Sequence, residues 1–164
     1  MYVPTLIAST HKLTQRSCLQ HRAHWYILHS IIEHNPVVQK NGIVALVYTS
    51  SHSKLESFDR KFIVAMLHHI RSVVPVRMTG LHHVIQSSII RLIMPIVYYC
   101  FGAELRARYR PYTGMTGAEI VEAIKPFGIS SETLPIEFGG QFQFDYSTWI
   151  ETRQRIENNA MEEG

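Results

Sequence analysis

One segment of the chain is almost entirely apolar, and it limits how the rest can fold. The stretch from Ser87 to Phe101 reads SSIIRLIMPIVYYCF, with Arg91 as its one charge and Pro95 in its second half. Drawn as a helix over Ser87–Gly102, it carries apolar side chains in nearly every direction. Such a helix is either buried or in contact with lipid. It is shorter than the roughly 20 apolar residues that a membrane-spanning helix needs.

Length and composition are typical of one globular domain. The 164 residues are 46% hydrophobic and 18% charged, which excludes wholesale disorder. We expect a single domain over residues 1–157 and a frayed tail over 158–164. Cys18 and Cys100 are too few for a disulfide framework, and the N-terminus has no secretory signal. These features favour a cytoplasmic protein that can lie at the periphery of membranes.

The charge balance favours acidic partners only mildly. Lys plus Arg exceeds Asp plus Glu by 16 − 13 = +3. The arginines do not alternate with base-stacking aromatic residues, and the spacings of zinc-finger, RRM and KH modules are missing from the sequence. Nucleic acid is therefore not expected as a partner. Transient contact with an anionic membrane surface explains the charge with fewer assumptions.

Strand and helix patterns alternate along the chain, which predicts an α/β domain with a mixed or mostly parallel sheet flanked by helices. The continuous apolar run Ile43–Tyr48 is expected to be the central strand. The other predicted elements are a short strand Tyr2–Ala8, a helix Thr14–His34, a helix capped by Ser57 and broken by Pro75, a strand Val76–Val84, the apolar helix Ser87–Gly102, a strand Arg108–Tyr112, a helix after Thr116 and a terminal helix Asp145–Asn158.

Three arginines follow the apolar helix at every second position. If Arg106, Arg108 and Arg110 lie on one strand, their guanidinium groups point the same way and can bind a phosphate in bidentate fashion. The alternative is a solvated basic edge in which the arginines pair with Glu104 or with acidic residues of the C-terminal tail. Both interpretations remain open at the level of sequence.

Catalytic and metal-binding patterns are missing from the sequence. The ten histidines include adjacent pairs, whose side chains diverge, and they do not form a complete set of metal ligands. The chain has neither a Gly-x-Ser-x-Gly elbow nor a phosphate-binding loop. We therefore expect no catalytic residues, no metal and no cofactor, and a small hydrolase or phosphatase is the least favoured class.

The order of the motifs resembles the CRAL-TRIO family of lipid-carrying domains, over roughly Ile43–Trp149. The resemblance is carried by the strand Gly42–Val47, by Pro75-Val76-Arg77-Met78, by the apolar helix and its arginines, and by Leu134–Gly140, which reads LPIEFGG. It implies a lipid cavity closed by the apolar helix, which would act as a gate that moves at a membrane. Pro95 is a candidate hinge of that gate.

The chain also departs from the family's pattern. Val76 stands where members that bind phosphatidylinositol have Glu, and the family's N-terminal helical lobe is not matched. The resemblance implies that His82 faces the cavity. The expected ligand-binding residues are His82, Val84, Ile89, Ile93, Met94, Val97, Arg106, Arg108 and Arg110.

The resulting hypothesis is a protein that binds and transfers, or senses, a small hydrophobic lipid. Each buried methylene contributes roughly 0.8 kcal/mol, so an acyl or isoprenoid chain can supply affinity with few polar contacts. The alternative is a protein-interaction module that keeps the fold and fills the cavity with its own side chains. The presence or absence of a cavity beneath the apolar helix bears on this choice.

Overall fold

The computed structural model describes residues 15–33, 35–54, 59–72 and 75–162. Its helices are α1 (Gln15–Ile32), α2 (Pro36–Asn41), α3 (Arg60–Ser72), α4 (Ser88–Cys100), α5 (Ala103–Arg108), α6 (Gly117–Ile124) and α7 (Tyr146–Glu162), and its strands are β1 (Ile43–Thr49), β2 (Met78–Ile85) and β3 (Tyr109–Thr113). The predicted strand Tyr2–Ala8 and the predicted cap Ser57 lie outside the described residues.

The three strands form one parallel sheet in the order β1-β2-β3, and helices flank it. The predicted α/β class is therefore confirmed. The predicted centre is wrong: β2 is the central strand and β1 pairs on one side only among the described strands. The exposure of the two strands agrees with this order. Tyr48, near the C-terminal end of β1, is exposed, whereas every residue of β2 from Gly80 to Ile85 is buried. Because two histidines lie in β2, its hydropathy pattern does not indicate a central strand.

The helices α3 and α4 connect successive strands and contact each other. Because the strand order advances in one direction, crossovers of the same hand place both helices on the same face of the sheet. A core cluster joins them to that face. Its buried members are Ala45, Leu67, Leu81, Val97, Phe101, Leu105 and Tyr109.

Local signals explain where the helices next to the sheet begin. The Asn35 side chain accepts a hydrogen bond from the Val38 amide, and Pro36 takes the first position of α2. The Ser87 hydroxyl accepts from the Ile90 amide at 3.3 Å and caps α4. The predicted apolar helix is thus confirmed, and it runs through Pro95, which cannot donate to the Arg91 carbonyl.

The predicted arginine strand is wrong in its first half. Arg106 and Arg108 lie on α5, and of the three arginines only Arg110 lies on β3. The sequence Ala-Glu-Leu-Arg-Ala-Arg consists of good helix formers, and Glu104 pairs with Arg108 one turn later at 2.9 Å. The strand begins only at Tyr109, because Tyr109, Pro111 and Tyr112 are poorer helix formers than the residues before them.

The chain divides into two compact units, Met1–Thr116 and Gly117–Gly164, whereas one domain over residues 1–157 was expected. The second unit contains α6, α7 and two single 3-10 turns, Lys125–Phe127 and Ile136–Phe138. Within it, Gly139 has φ +85° and packs directly against Gly117. The helix α7 continues to Glu162, so most of the tail expected to fray is helical.

Candidate ligand cavity

A cavity of about 270 Å³ lies in the first unit, between α3, α4 and one face of the sheet. We call this face the cavity face and the opposite one the far face. The walls are almost entirely apolar. The described lining residues are Leu28 of α1; Ala45, Val47 and Thr49 of β1; Ser53, Lys54 and Asp59 of the following loop; Phe62, Ile63, Met66, Leu67 and Ile70 of α3; Met78, Leu81 and His83 of β2; Ile90, Met94 and Val97 of α4; and Phe101 and Tyr109.

Strand alternation decides which residues of β2 reach the cavity. Leu81 and His83 lie on the cavity face, so His82 and Val84 point to the far face. The predicted placement of His82 and Val84 in the cavity is therefore corrected to the far face. A sequence with two adjacent histidines shows that one of them faces each way, but it does not tell which one faces the cavity.

On the far face, His82 is buried and pairs with a neighbouring strand. Its Nδ1 lies 2.8 Å from the Tyr112 hydroxyl, and the two rings are nearly parallel with centroids 5.9 Å apart. Burial, and secondarily the Arg110 charge, lower the pKa of His82. These contacts describe a structural histidine of the sheet.

The inner side of α4 supplies the lid of the cavity. Ile90, Met94 and Val97 line it at helical spacing, and Phe101 continues the same side beyond the helix end. Met94 and Val97 were predicted from the sequence. Ile89, which is half exposed, and Ile93, which is partly buried, were also predicted, but neither lines the cavity. The sequence did not separate them because every side of this helix is apolar.

Three polar side chains cross the floor of the cavity and form a row that we call the polar row. His83 Nε2 lies 2.8 Å from the Thr49 hydroxyl, and His83 Nδ1 lies 3.1 Å from the Tyr109 hydroxyl. Each strand contributes one residue, because Thr49 and Tyr109 are diagonal neighbours of His83 on the cavity face. Sequence reasoning missed this row, since strand pairing alone brings together residues that are 34 and 26 positions apart.

The polar row is held in an apolar setting. Burial lowers the pKa of His83 from 6.5 to about 4, so the imidazole is neutral at pH 7. Burial likewise raises the pKa of Tyr109 well above its ordinary value. The Tyr109 ring packs edge-on against Phe101, with centroids 5.0 Å apart, and also contacts Tyr98. The end of α4 therefore fixes the position of the Tyr109 hydroxyl.

The predicted arginines serve the helices around the cavity and do not line it. Arg106 donates from Nη1 to the Phe101 carbonyl at 2.8 Å, which satisfies a group just beyond the C-terminal end of α4. Arg108 pairs with Glu104, as the alternative interpretation held. Arg110 donates to the carbonyls of Ala107 and Tyr109. The structure does not bring the three guanidinium groups together on one strand face.

The outer face of α4, formed by Ile89, Leu92, Ile96 and Tyr99, is apolar and exposed. The exposed fraction is 79% for Leu92, 64% for Ile96 and 83% for Tyr99. The four residues follow one another at spacings of three and four, so they form one stripe along the helix. The helix α4 is consequently apolar on two opposite sides, one turned to the cavity and one to solvent.

In the parts of the chain that the structure describes, no group of three or more His, Cys, Asp or Glu side chains could hold a metal ion. Among those same residues, no helix is both long enough and apolar enough to cross a membrane.

No model of a known protein family matches this sequence, and no curated protein matches it either. The resemblance to CRAL-TRIO domains therefore rests on the residues quoted above and stays a hypothesis.

Proposed function

We propose that this protein binds a small hydrophobic lipid in the cavity beneath α4 and transfers or senses it. The observation that carries the proposal is the apolar cavity itself, which is about 270 Å³ in volume and is bordered by the inner side of α4. A chain of methylenes placed there would contribute roughly 0.8 kcal/mol for each methylene removed from water. The affinity thus comes from the ligand's hydrocarbon part, and the protein takes part as a carrier without a catalytic role.

The size of the cavity narrows the class of ligand. Cavities for small molecules range over roughly 300–1,000 Å³, and this one lies just below that range. A single-chain amphiphile fits this volume better than a lipid with two long chains. Val76 also disfavours phosphatidylinositol as the ligand, because it is buried in a cluster with Leu28, Val38 and Ile43 and offers no charge to an inositol headgroup.

The two-sided apolar character of α4 supports a role as the gate. We propose that the gate opens during transient contact with an anionic membrane surface in the cytoplasm, where the outer face of α4 enters the interface. The helix contains no acidic residue, and its one charge is the exposed Arg91. Arg106 and the ion pair of Arg108 with Glu104 lie just beyond its C-terminal end, so Arg91 and Arg106 supply the positive charge. A cationic, apolar surface of this kind is complementary to anionic lipid.

The test is lipid loading measured by native mass spectrometry after incubation with vesicles of mixed phosphatidylserine, phosphatidylcholine and free single-chain lipids. We expect one bound lipid per protein. Met94→Asp should abolish loading, because an unpaired carboxylate would enter an apolar cavity. Leu92→Asp is the matched control for cavity capacity: it should slow loading from vesicles but leave binding of monomeric amphiphile intact.

A protein that stays lipid-free under all these conditions would contradict the proposal. The outer face of α4 would then favour the alternative, a protein-interaction module. Equal loading by wild type and by a folded Met94→Asp variant would likewise remove the cavity from the function.

A further inference from the structure

The polar row gives the cavity a chemical preference that its apolar walls do not. We infer that Thr49, His83 and Tyr109 recognise an uncharged oxygen of the ligand, so that the ligand is a single-chain alcohol or carbonyl compound bound with its oxygen towards the sheet. This inference rests on the proposed function, because it names the ligand class of the same cavity.

Within the polar row, the two hydroxyls and the neutral imidazole cannot all use their hydrogen atoms. A neutral imidazole has one N–H, so it donates to one hydroxyl and accepts from the other. Thr49 and Tyr109 are the two hydroxyl partners, at 2.8 and 3.1 Å. Whichever tautomer is present, one hydroxyl receives the ring N–H and keeps its own hydrogen unused. A doubly protonated ring would leave both hydroxyl hydrogens unused.

The unused hydroxyl hydrogen borders the cavity. Thr49, His83 and Tyr109 all line the cavity, and the described residues offer the three side chains no hydrogen-bond partner beyond one another. Tyr109 is buried and Thr49 is partly buried. A donor without an acceptor is unfavourable to the extent that it is shielded from water, and an oxygen atom in the cavity would satisfy it. An alcohol or a carbonyl group supplies that acceptor, whereas a hydrocarbon does not.

The charges of the residues that line the cavity restrict the ligand further. Among the described lining residues the only lysine or arginine is Lys54, which is exposed in the loop after β1. His83 is neutral at pH 7 because burial lowers its pKa to about 4. A carboxylate beside the polar row would therefore be buried without a counter-ion, which is strongly unfavourable. An uncharged oxygen is the head group that this floor accommodates.

Three probes separate these contributions: decan-1-ol, undecane with the same number of heavy atoms, and decanoate. Each is delivered from cyclodextrin, and its affinity is measured at pH 7 by displacement of an apolar fluorescent dye. We expect the ratio of decan-1-ol affinity to undecane affinity to be about tenfold higher in wild type than in a variant without the polar row, as one buried hydrogen bond allows. Decanoate should bind more weakly than decan-1-ol.

The informative variant is Thr49→Val/His83→Leu/Tyr109→Phe, which replaces every polar group of the row by an apolar group of similar size. Its ratio of decan-1-ol affinity to undecane affinity should fall about tenfold below that of wild type, while its undecane affinity shows that the cavity is intact. Tyr112→Phe is the matched control, because Tyr112 makes the same bond to His82 on the far face. It should keep the wild-type ratio. If the triple variant does not fold, the carbonyl stretching frequency of undecan-2-one bound to wild type replaces it, and a frequency equal to that in hexane would show that the polar row donates no hydrogen bond.

The outcomes separate this inference from the proposed function. A ratio of decan-1-ol affinity to undecane affinity that is unchanged by the loss of the polar row, or tighter binding of decanoate than of decan-1-ol by wild type, would overturn the inference and leave the lipid cavity standing. Failure of wild type to bind any of the three probes would overturn the proposed function, and the inference with it.

Discussion

At the scale of single residues, the two adjacent histidines of β2 have different environments. His82 is paired with Tyr112 on the far face, and His83 joins Thr49 and Tyr109 on the cavity face. Both rings are buried, but only His83 borders space that a ligand can occupy. Alternation along the strand is the physical reason that neighbours in sequence have unrelated tasks.

The buried His83 makes stability depend on pH. Its pKa is lowered from 6.5 to about 4 in the folded protein, so the unfolded chain binds the extra proton first. The stability that His83 contributes is therefore full above pH 6.5 and is lost as the pH falls from there towards 4. Between pH 7 and pH 5 we expect a loss of about 2 kcal/mol in the free energy of unfolding.

Urea denaturation of wild type and His83→Gln at both pH values measures this contribution. The variant keeps the responses of all other histidines, so the difference between the two proteins isolates His83. Parallel pH profiles for wild type and variant would show that His83 titrates normally and is not buried as described.

Arg106 and Arg108 differ in what their guanidinium groups contact. Arg106→Gln removes the donor to the Phe101 carbonyl and should lower the free energy of unfolding by about 1 kcal/mol. Arg108→Gln removes an ion pair whose Glu104 partner is largely exposed, and should cost less than about 0.5 kcal/mol. Chemical denaturation of both variants checks the order, and an equal or reversed order would contradict it.

Some site residues were open to prediction from the sequence and others were not. Met94 and Val97 were predicted because an apolar helix must turn some side towards the core. Thr49 and Tyr109 were not, because nothing near either residue signals that strand pairing will place it beside His83. Sequence patterns report local periodicity, while the polar row depends on the register of three strands.

At the scale of secondary-structure elements, α4 is the helix of the first unit that we expect to move. Its outer face is solvated although it is apolar, and Pro95 removes one backbone hydrogen bond from its middle. We expect amides of α4 to exchange with solvent faster than those of β2 in the lipid-free protein, and to slow when decan-1-ol fills the cavity.

Hydrogen exchange read by mass spectrometry, with and without decan-1-ol, tests this behaviour, and β2 serves as the internal reference. Exchange across α4 that is as slow as in β2 and insensitive to the alcohol would identify α4 as a fixed core helix.

The Leu-Pro-Ile-Glu-Phe-Gly-Gly segment of the second unit has a steric role. A Cβ on Gly140 would overlap the Leu134 carbonyl, so Gly140→Ala should cost about 3 kcal/mol or more. Gly128 has φ +76° but open space around it, and Gly128→Ala should cost only about 1 kcal/mol. Denaturation followed by Trp149 fluorescence in a Trp25→Phe background compares the two. Equal costs would show that close approach at Gly140 is not what selects glycine.

The elements themselves were largely predictable, with one instructive error. Strong local signals predicted α4, because its residues are apolar apart from the one charge of Arg91. Arginines at every second position, as at Arg106 and Arg108, fit one face of a strand equally well, so the deciding information was the helix-forming composition around them and the pairing of Glu104 with Arg108. Spacing of charged residues alone does not distinguish these states, because either conformation can expose them to water.

At the scale of the whole molecule, the α/β class follows from alternation of elements, but the cavity does not. The strand order and the placement of α3 and α4 over one face decide that apolar side chains enclose about 270 Å³ of space there. Composition fixes how much apolar surface must be buried, whereas the remaining volume depends on how the helices pack. For this reason the sequence left both a carrier and a module with a filled cavity as open alternatives.

The central claim is that a ligand occupies the space between α4 and the cavity face. The most direct test is the set of intermolecular NOEs between unlabelled decan-1-ol and ¹³C-labelled methyl groups of the protein. We predict NOEs to Met94 and Val97 of α4 and to Val47 of β1, and none to Val84, which lies on the far face. A bound ligand without NOEs to Met94 and Val97, or with NOEs to Val84 in their place, would contradict the account.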